Sequence, residues 1–187
     1  MSNDPEFKRN RAMQAIKRKA TKRIIAVLLV VLGLAVLTAW GISYSRSRSK
    51  DLPGKSIPDQ GREHVPLSEK HEYNSNPPVS GWHYAVPAEW GIYKDELDDK
   101  ILIHNLEHGG IWISYKPGIP EDIRKKLEGF YDKYGRKVII APRSANDADI
   151  VLAAWSRLDK FSIGEYSDER VEKFIKAFRN KGPEFVP

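Results

Sequence analysis

Histidines are the residues of this 187-residue chain whose types and spacing could do chemistry. All five lie between positions 64 and 108, at His64, His71, His83, His104 and His108. If 104–108 forms a helical turn, the last two imidazoles share one face with Cβ atoms about 5–6 Å apart, within reach of one metal ion. On a regular strand they would stand about 13 Å apart, so a metal site requires a turn. The glycine pair at 109–110 favours such a break.

The rest of the composition narrows the kind of metal. The chain has no Cys, and both methionines, Met1 and Met13, lie in its N-terminal tail, which excludes a sulfur-ligated Cu(I) site in the remainder. Imidazoles with a carboxylate suit Zn(II), Cu(II), Fe or Ni, and the expected ion is Zn(II) or Cu(II). The predicted metal ligands are His64, His83, His104, His108 and Glu107. The competing interpretation is that these histidines are structural and bond to loop backbone.

The segment 104–108 also matches the H-x-x-E-H pattern of inverted zinc peptidases, in which the glutamate acts as a base. Those enzymes place the motif in a long helix, whereas the glycines at 109–110 end any helix here at once. Because no nucleophile–base pair or phosphate-binding loop is visible, binding is favoured over catalysis. Two alternatives stay open: a metal-dependent hydrolase with Glu107 as base, and a structural subunit of a larger membrane complex with inert histidines.

The net charge of +6 resides in residues 1–23, which hold eight basic and two acidic side chains. The rest of the chain is balanced, so we expect no nucleic-acid partner. Residues 24–45 contain no charge and would extend about 33 Å as a helix. They predict a single transmembrane helix in contact with membrane lipid, longer than the apolar part of a cleavable signal peptide. The basic tail places the N-terminus in the cytoplasm and the remainder outside the cell membrane.

Beyond this segment, residues 46–60 are typical of a linker and residues 61–187 of one extracytoplasmic α+β domain. The part over 61–99 is rich in proline and aromatic residues, which favours a loop packed over a core. The predicted elements that follow are strands at 101–103, 111–115, 138–141 and 150–155, and helices that begin near Pro120 and Ser167. These predict a small mixed sheet with two flanking helices, in which 111–115 and 138–141 are parallel and the next strand returns antiparallel.

Several blocks of the domain together resemble an uncharacterised family of membrane-anchored prokaryotic proteins, the domain of unknown function numbered 3105. The clearest are Glu63-His64-Val65, Pro77-Pro78-Val79-Ser80-Gly81-Trp82-His83, the run from His104 to Tyr115, and Gly182-Pro183-Glu184. The resemblance implies the architecture above and no established activity. It places the five predicted ligands, but not His71, on family motif positions, and implies that the four motif histidines converge.

Overall fold

The chain divides into two compact units, Met1–Asp51 and Leu52–Pro187. The computed structural model describes residues 52–186, the run 28–43 and the single positions 6, 13, 17, 18, 22 and 25. Most of the predicted basic tail, both ends of the predicted transmembrane segment and residues 46–51 of the predicted linker lie outside the described residues.

In the first unit, residues 28–43 are helical, and their large apolar side chains are exposed, from Leu28 to Ile42. Within the described residues, no helix combines the length and the apolar character needed to span a bilayer. The transmembrane helix over 24–45 stays a prediction.

The second unit is built on a six-stranded mixed sheet with the strand order β1-β6-β5-β3-β4-β2. The strands are β1 (Lys55–Ser56), β2 (Gly91–Ile92), β3 (Ile111–Tyr115), β4 (Val138–Pro142), β5 (Ile150–Ala154) and β6 (Arg157–Phe161). In the register of the central three strands, Ile113 faces Ile140 of parallel β4 and Leu152 of antiparallel β5. Both of these strand directions are those that the sequence predicts.

The helices of this unit are α1 (Asp99–Glu107), α2 (Glu121–Tyr134) and α3 (Asp168–Phe178), with a short 3-10 helix at Ile163–Glu165. The predicted helix boundaries at Pro120 and Ser167 are confirmed, and the Ser167 side chain accepts a hydrogen bond from the Arg170 backbone N–H. Helix α2 ends before Gly135, which has a positive φ of 60°.

Because side chains alternate along a strand, β3 contributes residues to a hydrophobic core on each face of the sheet. Ile111 and Ile113 pack on one face against α2 and α3, where Leu127 and Phe174 are fully buried. Trp112 points to the other face, where it joins α1 and the residues of the preceding loop. The sheet therefore separates a helical layer from a layer made of α1 and the loop.

The predicted strand at 101–103 is wrong, because these residues belong to α1. The Asp98 side chain caps this helix by accepting a hydrogen bond from the Lys100 backbone N–H. Residues 102–107 are all buried, so the apolar run lacks the one-sided period that distinguishes a surface helix from a buried strand. The domain consequently has three α-helices rather than the predicted two, and the sequence also failed to predict β1, β2 and β6.

The two helices on the outer face are joined through Glu172 of α3, which accepts hydrogen bonds from Lys133 Nζ (2.6 Å) and Tyr134 Oη (2.8 Å) of α2. These hydrogen bonds, with a third from Lys176, lower the pKa of Glu172 to about 2. A carboxylate with a depressed pKa stabilises the fold above its ordinary pKa and loses that contribution as the pH falls.

We expect Glu172→Gln to lower the midpoint of thermal unfolding at pH 7. The difference from the wild-type chain should shrink as the pH falls from about 4.5 to about 2, because the wild-type carboxylate is protonated over that range. Scanning calorimetry across this pH series measures both effects. Glu72→Gln, at an exposed glutamate of the loop before β2, is the control and should be neutral. A difference that does not depend on pH would contradict this role of Glu172.

Candidate metal centre

The C-terminal turn of α1 places His104 and His108 on one face, as the sequence predicts for a helical turn. The backbone N–H of His108 donates to the His104 carbonyl, and the two Nε2 atoms lie 3.0 Å apart. The helix ends because Gly109 adopts a positive φ of 76°. The backbone N–H groups of Gly109 and Gly110 then bond back to Leu106 and Asn105, which is the hydrogen-bond pattern of a Schellman motif.

The loop before β2 brings two further histidines over this turn. His83 donates its backbone N–H to the Glu63 carbonyl (3.0 Å), and Val65 donates to the His83 carbonyl (2.8 Å). The His64 ring stacks on His104 with centroids 4.9 Å apart and meets His83 edge-on at 4.8 Å. Three histidines that are distant in sequence therefore converge above α1.

Asn105, which lies between His104 and His108, holds the loop before β2 against α1. Its Nδ2 donates to the Ala88 carbonyl (2.8 Å), and its Oδ1 accepts from the Ala88 backbone N–H (2.9 Å). The side chain is 1% exposed, so these two bonds satisfy amide groups that would be costly to bury alone. Asn105 thus acts as a positioning residue between the two halves of the site.

Glu107 lies among the three imidazoles and is 2% exposed. Its Oε2 is 2.9 Å from His83 Nε2 and 3.6 Å from His64 Nε2, and its Oε1 faces the exposed guanidinium of Arg62 at 3.9 Å. The ligand atoms of His64, His83, His104 and Glu107 all lie within 4.8 Å of one another. Metal–ligand bonds of about 2.0–2.2 Å place the donors of a tetrahedral ion about 3.3–3.6 Å apart, so this cluster could hold one metal ion.

The hydrogen bonds at the two buried histidines define which ring nitrogens face the centre. Nδ1 of His83 donates to the Gly81 carbonyl and Nδ1 of His104 to the Tyr84 carbonyl, both at 2.7 Å. Burial lowers the pKa of His104, and repulsion from the other imidazoles adds to this effect, although the bond to Tyr84 opposes it. The neutral ring therefore turns an unprotonated Nε2 toward the cluster, the arrangement that metal-binding histidines commonly use.

The remaining two histidines are placed differently. His108 contacts His104, but its ligand atom forms a second group with those of Glu107 and Glu184. In this group, Glu184 Oε2 is 3.4 Å from His108 Nε2. His71 lies apart from the cluster, stacked on Trp82. The ligand prediction did not include Glu184, although the closing Gly182-Pro183-Glu184 block was one of the family-like motifs and was the available signal.

A family model described as a protein of unknown function, DUF3105, matches residues 64–186, about two-thirds of the chain. The chain belongs to the DUF3105 family. The DUF3105 match begins at His64 and extends past Glu184, so it contains both groups of potential ligands. No curated protein and no solved structure matches the chain.

The C-terminal segment of this DUF3105 domain lies in close contact with the end of α1. A Cβ atom at Gly182 would overlap the Glu107 carbonyl and the Gly109 backbone nitrogen. We expect Gly182→Ala to destabilise the domain by about 1–3 kcal/mol, because the segment must move away from the helix. Gly129→Ala in α2 is the matched control: its Cβ meets nothing within 4 Å, and it should stabilise the domain by about 0.5–1 kcal/mol. Denaturant unfolding measures both, and equal effects of the two substitutions would contradict this prediction.

Proposed function

We propose that this DUF3105 protein is a membrane-anchored, extracytoplasmic metal-binding domain. The ion, Zn(II) or Cu(II), is held by His64, His83, His104 and Glu107. The observation that carries the proposal is the contact of 2.9 Å between His83 Nε2 and Glu107 Oε2.

This contact requires a proton or a metal ion beside the two atoms. Because Nδ1 of His83 donates to a carbonyl, a neutral His83 ring presents a lone pair at Nε2. Two acceptor atoms 2.9 Å apart repel each other unless a proton or a metal ion lies between them. A shared proton would satisfy His83 alone, whereas a metal ion would also use the Nε2 of His104 and of His64.

The donor set supports a borderline divalent ion. Three imidazoles and one carboxylate match the ligand preferences of Zn(II) and Cu(II). The side chain of His64 is 46% exposed, which leaves one side of the cluster open to an entering ion. Glu107 is buried among the other ligands, which favours a ligand over a base that must reach a substrate.

Metal binding can be tested on the full chain purified in detergent and freed of metal. Glu107→Gln keeps the size of the side chain and removes its charge, so we expect the tightest Zn(II) dissociation constant to weaken by at least about 100-fold. His83→Ala should have a similar effect. Competition against a chelating dye provides the measurement.

His71→Ala is the matched control, because it removes a histidine of the same loop that lies outside the cluster. It should leave Zn(II) affinity unchanged. If the wild-type chain takes up neither Zn(II) nor Cu(II) while circular dichroism shows that it is folded, the histidines are structural and the proposal is wrong.

The membrane anchor is supported by the uncharged segment 24–45 and by the apolar side chains along 28–43, which are exposed within their unit. Exposing a continuous apolar surface to water is unfavourable, and a bilayer removes that cost. The eight basic residues before the segment favour the cytoplasmic side for the N-terminus.

The natural absence of cysteine makes this orientation simple to test by thiol labelling. In spheroplasts of a bacterial expression host, a membrane-impermeant maleimide should label Ser56→Cys, at an exposed position of β1, before lysis. Lys8→Cys should react only after lysis, since we place it in the cytoplasm. Recovery of the chain in the soluble fraction, or labelling of both variants in intact spheroplasts, would contradict the anchor.

A further inference from the structure

We infer that the DUF3105 site is a two-metal centre, in which His108 and Glu184 form a second cation position that shares Glu107 with the first. This inference rests on the proposed function, because it extends the same cluster. The second position would take a divalent transition ion of the same class as the first.

The ligand atoms of Glu107, His108 and Glu184 lie within 4.8 Å of one another. Between the last two, His108 Nε2 and Glu184 Oε2 are separated by 3.4 Å. The His108 side chain is 14% exposed and Glu107 is almost fully buried, so two of the three donors are part of the packed structure.

Glu184 is held at this place by its backbone. Its N–H donates to the carbonyl of Glu107 (3.1 Å), so the two carboxylate residues are tied together at the end of α1. On either side, Asn180 donates its N–H to the Gly109 carbonyl (2.8 Å), and Lys137 Nζ donates to the Val186 carbonyl (2.6 Å). The segment carrying Glu184 is therefore attached before and after this residue, unlike a free surface tail.

Glu107 is the residue common to both groups. A carboxylate has two oxygen atoms and can bind one ion with each, and ions in two-metal sites lie about 3.5–4 Å apart. The contact of 3.0 Å between His104 Nε2 and His108 Nε2 brings the two groups together at a second point. His104 then serves the first ion and His108 the second.

The two positions differ in how complete they are. The first has four protein donors, which fill a tetrahedral ion, while the second has three and leaves a position for water or an anionic ligand. Glu184 is 46% exposed, so this open position faces solvent. An incompletely coordinated ion beside a fully coordinated one is an arrangement that can bind and polarise a ligand.

The inference is tested by stoichiometry on the full chain purified in detergent. Zn(II) titration should give two equivalents for the wild-type chain and one for Glu184→Gln, because this substitution keeps the backbone bond to Glu107 and weakens only the second position. His108→Ala should also bind one equivalent. Glu63→Gln removes an exposed carboxylate beside His64 and is the control, with two equivalents expected.

Cu(II) provides an independent readout. Two Cu(II) ions at this separation couple magnetically, so the doubly loaded wild-type chain should show a half-field electron paramagnetic resonance signal. That signal should be absent from Glu184→Gln, which should retain the spectrum of an isolated Cu(II) ion.

The outcomes separate this inference from the proposed function. One equivalent in both the wild-type chain and Glu184→Gln overturns the second position and leaves the first intact. Two equivalents in both the wild-type chain and Glu184→Gln overturn the assignment of Glu184 as a ligand. If His108→Ala also binds two equivalents, the second position itself is overturned. No binding by a folded wild-type chain overturns both proposals.

Discussion

The carboxylate of Glu107, buried at the end of α1, is the group on which the rest of the site depends. Removing a carboxylate from water is costly unless donors or cations surround it. The groups around Glu107 are three imidazoles, which can stabilise it through a shared proton or a metal ion, and one exposed guanidinium. These groups come from the loop before β2 and from α1 itself. The loop must therefore pack over α1, and this requirement explains why so many aromatic and proline residues of that loop are part of the folded domain.

The two faces of the sheet have different roles in the domain. On the face of α2 and α3, the core is a conventional contact of aliphatic and aromatic side chains around Leu127 and Phe174. On the opposite face, Leu102 and Leu106 of α1 pack against Trp112, while the end of the same helix carries the polar cluster. The apolar packing positions α1, and the Schellman motif then ends the helix directly after Glu107 and His108. Asn105 links these two roles, since its amide holds the loop while its neighbours serve the core and the site.

The C-terminal segment completes the site from a third direction. Gly182 allows close approach to α1, and the backbone of Glu184 bonds to the carbonyl of Glu107. A family match that spans the chain from the first histidine to this segment is consistent with one cooperative unit. Residues 24–187 carry equal numbers of acidic and basic side chains, so this part of the chain sets up little long-range electrostatic field.

Local chemistry in the sequence determined much of this structure. Pro120 and Gly135 bounded α2, Ser167 began α3, and the β-branched runs at 111–115, 138–142 and 150–154 formed the central strands, because turn, cap and periodicity signals act over a few residues. The turn that unites His104 and His108 was predictable for the same reason. Only the tertiary structure decided that 101–103 is helical, since burial on all sides erases the period. The family resemblance had already implied that His64 and His83 converge on this turn and that His71 does not. Only the tertiary structure added Glu184 and separated His108 from the first group, because contacts between distant segments depend on packing of the whole domain and carry no local pattern.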